Sequence, residues 1–282
     1  MSNRAVGVLL GLGAAGAFEV AYLLMAAQAR RVSAPDRPDA RFLVSLIRRR
    51  WWLAAMALNG VAFALELLAL RRVSLVIVQP LLAVGLVGLV LGARAFLGEP
   101  VGVRELAATT AVVVGVTLVV VGAPGGPATF PFDQWSDVAV GGLVVVLAVP
   151  QFSRRGSAWW LVTAAAAGDT LVALATNVAA GAWTDHLPLA LVGTVAVAVC
   201  GLSAVTCESA ALQRLPVSRV GPIVSGVQVT LPVLLVALLG RQSWASTPGR
   251  GLLLALGVAV VGAGALCLGA SDIAGIGRRQ ER

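Results

Sequence analysis

The sequence predicts an all-α integral membrane protein of about nine transmembrane helices arranged in two inverted-topology repeats. Three observations carry this expectation. Of 282 residues, 59% are hydrophobic and 12% charged, with a mean hydropathy of +0.92, whereas soluble domains carry about 25% charged residues. The apolar residues fall into stretches of the roughly 20 residues that a helix needs to cross a hydrocarbon core about 30 Å thick. The 21 basic residues are all arginine and lie mostly between those stretches, as topology signals do. A soluble enzyme or a nucleic-acid binder is excluded on these grounds, despite the net charge of +8.

The spans follow in order. The first, 5–27, precedes Ala27-Gln28-Ala29, a small-x-small pattern like a signal-peptidase site, but its apolar run is longer than the 7–15 residues of a signal peptide. A long basic loop, 28–50, ends in Arg48-Arg49-Arg50 and leads through Trp51-Trp52 into the second span, 51–70. Arginines at headgroups beside indoles form an interfacial anchor. A tight hairpin gives the third span, 73–93, then come 104–122 and a shorter fifth, 137–152. The sixth to ninth are 158–182, 188–211, 217–240 and 248–270, leaving 271–282 as a cytoplasmic tail. Residues 1–282 thus read as one membrane domain. With the N-terminus outside and the C-terminus inside, sixteen arginines are cytoplasmic, against Arg4, Arg71, Arg72, Arg241 and Arg250 outside, the bias that the positive-inside rule requires.

At an offset of 142, residues 66–122 align without a gap on 208–264. Glu66, Pro80 and Arg72 meet Glu208, Pro222 and Arg214, while Leu97-Gly98 meets Leu239-Gly240 and Gly115 and Gly122 meet Gly257 and Gly264. The first repeat covers about 5–122 and the second about 158–270, with the helix at 137–152 unpaired. An odd number of intervening spans inverts the second copy, the architecture of secondary transporters whose halves rock about a midplane site.

Four acids lie inside spans: Glu19, Glu66, Asp169 and Glu208. Each costs on the order of 2.5–3.5 kcal/mol on insertion scales. Glu19 and Asp169 fall near mid-span in paired helices, whereas Glu66 lies toward the outer entrance and Glu208 toward the inner one. Helical spacing puts Tyr22 with Glu19, Asn59 with Glu66 and Thr176 with Asp169. Gln79 and Gln228 add polar groups, and Pro80, Pro222 and Pro232 would break helices and free carbonyls for a ligand or gate. The acids would bind a cation or carry coupling protons. Alternatively, Glu66 snorkels to Arg71 or Arg72 and Glu208 to Arg214, and Glu19 or Asp169 serves as protonated packing glue.

Other signals fail on context. Gly11-Leu-Gly13-Ala-Ala-Gly16 spells a dinucleotide fingerprint but has no preceding strand. His186 is the one histidine, and no nucleophile-base pair or His-Glu-x-x-His pattern accompanies it; the expectation is therefore not an enzyme and no cofactor. Cys200, Cys207 and Cys267 lie in apolar spans and read as packing residues.

Leu70-Arg71-Arg72-Val73-Ser74-Leu75 through Gln79-Pro80-Leu81, closing with Leu97-Gly98-Glu99-Pro100, resembles the repeated half of the drug/metabolite transporter superfamily (EamA-like). Its second copy runs from Ala211 through Pro222 to Leu239-Gly240-Arg241, with Arg241 in place of the closing glutamate. Nine spans and the Arg50-Trp51-Trp52 entry are similar to the NIPA-type branch. The resemblance implies a secondary active transporter of a small metabolite or drug-like solute, working by alternating access with proton coupling. A magnesium or other divalent-cation transporter and a non-transporting membrane scaffold are the alternatives. Expected partners are a small-molecule or cation substrate and the lipid bilayer, with a homodimer open and no nucleic acid. Arginine without lysine, beside abundant Ala, Gly and Val, points to a GC-rich bacterial genome and hence to a bacterial plasma (inner) membrane.

Overall fold

The computed structural model describes residues 3–33, 37–73, 75–123, 134–152, 157–182, 186–239 and 248–280, and among them all regular structure is helical. The helices are α1 (Asn3–Ala29), α2 (Ala40–Ile47), α3 (Arg50–Leu70), α4 (Leu75–Leu97), α5 (Val103–Gly122), α6 (Gln134–Phe152), α7 (Ala158–Ala182), α8 (Leu187–Arg214), α9 (Val217–Leu239) and α10 (Leu252–Gln280). A 3-10 turn at Pro248–Gly251 leads into α10. Eight of these helices, all but α2 and α6, are long and apolar enough to cross a membrane. Helices satisfy their own backbone hydrogen bonds, which is why such sequences can lie in lipid as helices. Helix α6 has 19 residues, about 28 Å at 1.5 Å per residue, of which Ser136–Phe152 is the apolar part.

Three expectations change. The basic loop 28–50 contains α2: Asp39 caps it by accepting a hydrogen bond from Phe42 N at 3.0 Å, and Phe42 and Leu46, one turn apart, are buried in the core. That four-residue apolar spacing was overlooked among the arginines. Of the two indoles, Trp51 is exposed with the Arg50 guanidinium 5.8 Å from its ring centroid, while Trp52 is buried, so only Trp51 suits an interfacial anchor. Finally, the residues expected as a tail are helical as far as 280, continuing α10 beyond its apolar span Leu252–Ala270.

Helix α1 packs on α3 and α4, α7 on α8 and α9, α4 on α5, and α5 on α10. Small residues set these crossings. A Cβ at Gly115 would stand 2.7 Å from Val261 N, and one at Gly257 would stand 2.7 Å from Val119 N. Likewise Gly122 meets Leu254 N at 2.6 Å and Gly264 meets Ala108 O at 2.9 Å. Residue numbers rise on α5 as they fall on α10, so the two helices are antiparallel and touch backbone to backbone. Similar contacts run α1 antiparallel to α3 (Gly13 near Leu65, Gly7 near Val73) and parallel to α4 (Gly11 near Leu81, Gly92 near Leu23). The outward faces of α3 and α8 expose Val61, Phe63, Leu67, Val192, Val195 and Val199, the apolar surface that lipid would cover.

Candidate functional site

Three of the four membrane acids gather around one tyrosine. Glu19 and Tyr22 are three residues apart on α1 and so share a face. Helix α4 approaches that face at Gly85, where an added Cβ would lie 2.9 Å from Glu19 Oε1 and 3.2 Å from Ala15 Cβ. Helix α9 approaches at Gly221, where an added Cβ would lie 3.6 Å from the Tyr22 ring and would collide with Leu89. The Tyr22 hydroxyl is buried and makes no hydrogen bond of ordinary geometry. Its charged neighbours are Glu208 of α8, Asp169 of α7 and Glu19. Asp169 and Glu208 also act directly on one another, and Glu208 is buried. Helices α1, α7 and α8 thus contribute the acids of one cluster, and α4 and α9 approach it at Gly85 and Gly221.

The rest of the expected set separates from this cluster. Glu66 accepts a hydrogen bond from Gln79 Nε2 at 3.3 Å, and Arg72 reaches Asn3 rather than Glu66. The expected pairing of one entrance acid with another is therefore broken, because Glu208 joins the central acids and Glu66 does not. Asn59, Thr176 and Gln228 are exposed. A seven-residue step falls about 20° short of two turns and keeps a face only roughly, which is how spacing alone misplaced Asn59 and Thr176. Pro80 lies inside α4 and Pro222 and Pro232 inside α9, yet both helices run through them unbroken. Their contribution is local: each proline leaves the carbonyl four residues earlier, at Val76, Ser218 and Gln228, without its helical donor.

No family model, curated protein or solved structure matches the chain. The site is therefore read from its own chemistry. Among the described residues no group of three or more His, Cys, Asp and Glu side chains is placed to hold a metal ion. The cysteines are free thiols, with Cys207 buried beside Glu208, and His186 is exposed at the start of α8. What remains is a set of carboxyl groups beside a phenol, in surroundings where an unpaired charge is costly.

Sequence reasoning missed a second polar cluster. Gly98, at φ +66°, ends α4 in a left-handed turn in which Glu99 N bonds Ala93 O at 3.2 Å, the reversal that glycine favours at helix C-termini. Glu99 is thereby aimed at the start of α9, where Val217 N donates to Oε1 at 2.7 Å and Ser218 N to Oε2 at 3.0 Å. Arg30 forms an ion pair with the same carboxylate and donates from Nε to Leu212 O at 3.1 Å. Gln213 Nε2 donates to Ala29 O at 2.7 Å and Val32 O at 3.1 Å. The available signal was an acid directly after a glycine C-cap; its partners, 118 and 119 residues away, left no local trace.

Proposed function

We propose that this chain is a secondary transporter of the drug/metabolite type, a carrier rather than an enzyme, moving a small metabolite or drug-like solute with proton coupling. The carrying observation is the cluster of Glu19, Asp169 and Glu208 about Tyr22, whose hydroxyl is buried. Such acids are stable in lipid only when neutral or when neutralised by cargo, so proton and cationic solute compete for the same carboxyls. The absence of a metal-sized donor group among the described residues favours this reading over a divalent-cation carrier. A scaffold, for its part, has no use for three costly acids in one place.

The remaining architecture supports the same reading. In the proposed topology α1, α3, α4 and α5 form one repeat, α7, α8, α9 and α10 the other, and α6 is the unpaired ninth span. The 142-residue offset turns the contact of Gly115 with Val261 into that of Gly257 with Val119, and relates the Gly122–Leu254 approach to that of Gly264 with Val112. Antiparallel packing of α5 on α10 is what inversion of one half requires. The arginine bias puts the N-terminus outside and the C-terminus in the cytoplasm of a bacterial plasma membrane. The test is flux in proteoliposomes, with a panel of organic amines and metabolites and an imposed pH gradient. Proton-driven flux lost in Asp169→Asn and Glu208→Gln supports the proposal; flux of any panel member that ignores both the pH gradient and these substitutions overturns it.

A further inference from the structure

The Arg30–Glu99 cluster has no place in substrate chemistry, yet it ties together the ends of four helices. Arg30 extends α1, Glu99 follows α4, Leu212 and Gln213 close α8, and Val217 and Ser218 open α9. Every bond in it is charged or falls on a helix terminus, where backbone groups lack intrahelical partners. Glu99 sits on the first N–H groups of α9, the positive end of that helix, and so satisfies orphan donors and the helix dipole together. Its side chain is 5% exposed, whereas that of Arg30 is 30% exposed, so the bond is closed over the interior with its cation on the outer side.

The cluster lies beyond the acid site toward the helix ends. Arg30 follows Tyr22 by eight residues along α1 and its extension, and Leu212 follows Glu208 by four on α8, so the ion pair stands roughly 6–12 Å further along those helices. Between them Ala26 is fully buried, as is Leu212. Resting on the transporter reading, we propose that Arg30 and Glu99 form the gate that closes the arginine-rich, cytoplasmic end of the pathway above Tyr22 and Glu208, and that this gate exists on one side only. One-sidedness follows from the repeat: the residue equivalent to Glu99 is Arg241, which cannot accept hydrogen bonds from a helix N-terminus. Opening the inner end requires Glu99 to leave the start of α9, freeing α4 and α9 to part while α1 and α8 stay joined by Gln213.

The test uses the full chain in proteoliposomes, with Cys200, Cys207 and Cys267 replaced by alanine and Ala26→Cys as a reporter. Labelling by a charged, membrane-impermeant methanethiosulfonate is timed from each side. The reporter in an otherwise unaltered gate should react slowly from both sides. In Glu99→Gln and in Arg30→Ala it should react roughly tenfold faster or more from the cytoplasmic side alone, the scale expected for loss of charge-assisted hydrogen bonds. An unchanged rate, or an equal rise from both sides, overturns the gate. Because either variant could lose its fold, Arg30→Cys with Glu99→Cys in the reporter-free background provides a second measurement: joining the two thiols with a bifunctional methanethiosulfonate that spans the length of the ion pair should stop flux and reduction should restore it, and flux indifferent to a formed cross-link overturns the gate as well. Labelling needs no substrate, so a side-specific rise without flux in any assay sinks the transporter reading and leaves the gate standing.

Discussion

The crossing of α5 and α10 offers the sharpest test of the internal symmetry. Gly115→Val would place a Cβ 2.7 Å from Val261 N and 2.9 Å from Gly257 O, and Gly257→Val would place one 2.7 Å from Val119 N and 2.8 Å from Gly115 O. Ordinary contact begins at 3.4 Å, and the obstructing atoms are backbone, so neither clash is relieved by a rotamer change and the helices must separate by about 0.7 Å. Overpacking of this kind costs about 1–3 kcal/mol. At roughly 2–4 °C per kcal/mol for a chain of about this size, each variant should lower Tm by between about 2 and 12 °C in detergent, and by similar amounts. The double variant should cost less than the sum by about 1 kcal/mol, because both wedges open the same crossing. Gly141→Val is the control, since nothing lies within 4 Å of a Cβ there. Thermal unfolding followed by intrinsic tryptophan fluorescence measures all four. Single variants within about 1 °C of the wild type, or an additive cycle, would refute the argument.

Three further outcomes follow from the site and the topology. Tyr22→Phe keeps the ring against Gly221 but removes the buried hydroxyl among the three acids, so initial transport rates should fall roughly tenfold, about 1.4 kcal/mol of polar contact made as the site loads, while Tm stays within a few degrees. Glu66→Gln should hold transport within about threefold, because a glutamine oxygen still accepts from Gln79 and Glu66 stands apart from the acid cluster; a collapse in rate would return Glu66 to the site. Single cysteines at Ser2 and Gln280 should label with an impermeant reagent in intact cells at Ser2 only, and a signal at Gln280 under the same conditions would reverse the orientation.

Much of the fold was legible because lipid imposes a strict length and composition on helices. The apolar runs placed α1, α3, α5 and α7 within a few residues. Where the sequence misled, a local pattern was masked by charge: α2 hid Phe42 and Leu46 among arginines. Site residues were legible by cost. A carboxylate at mid-span is conspicuous in a chain that is 12% charged, and Glu19, Asp169 and Glu208 were marked on that ground. Tyr22 followed from helical spacing. The same spacing failed for Asn59 and Thr176, since a shared face does not say whether that face looks inward. Glu99 left no mark in the sequence, because its carboxylate is satisfied by Arg30 and by the start of α9, and both pairings exist only in the folded chain.

Helix α6 packs chiefly on α7 and has no counterpart in the proposed repeat, which makes it look dispensable. In the proposed nine-span topology, parity would give it a purpose. Four crossings return a chain to the side from which it set out, so two four-helix units joined directly would enter the bilayer in the same sense, and α5 and α10 would meet parallel. A single additional crossing reverses the second unit and leaves its internal packing untouched. On this view the identity of the side chains in α6 matters less than its presence. Replacing it with an unrelated apolar helix of equal length should preserve assembly, whereas excising it would force one half to fold against its neighbour upside down.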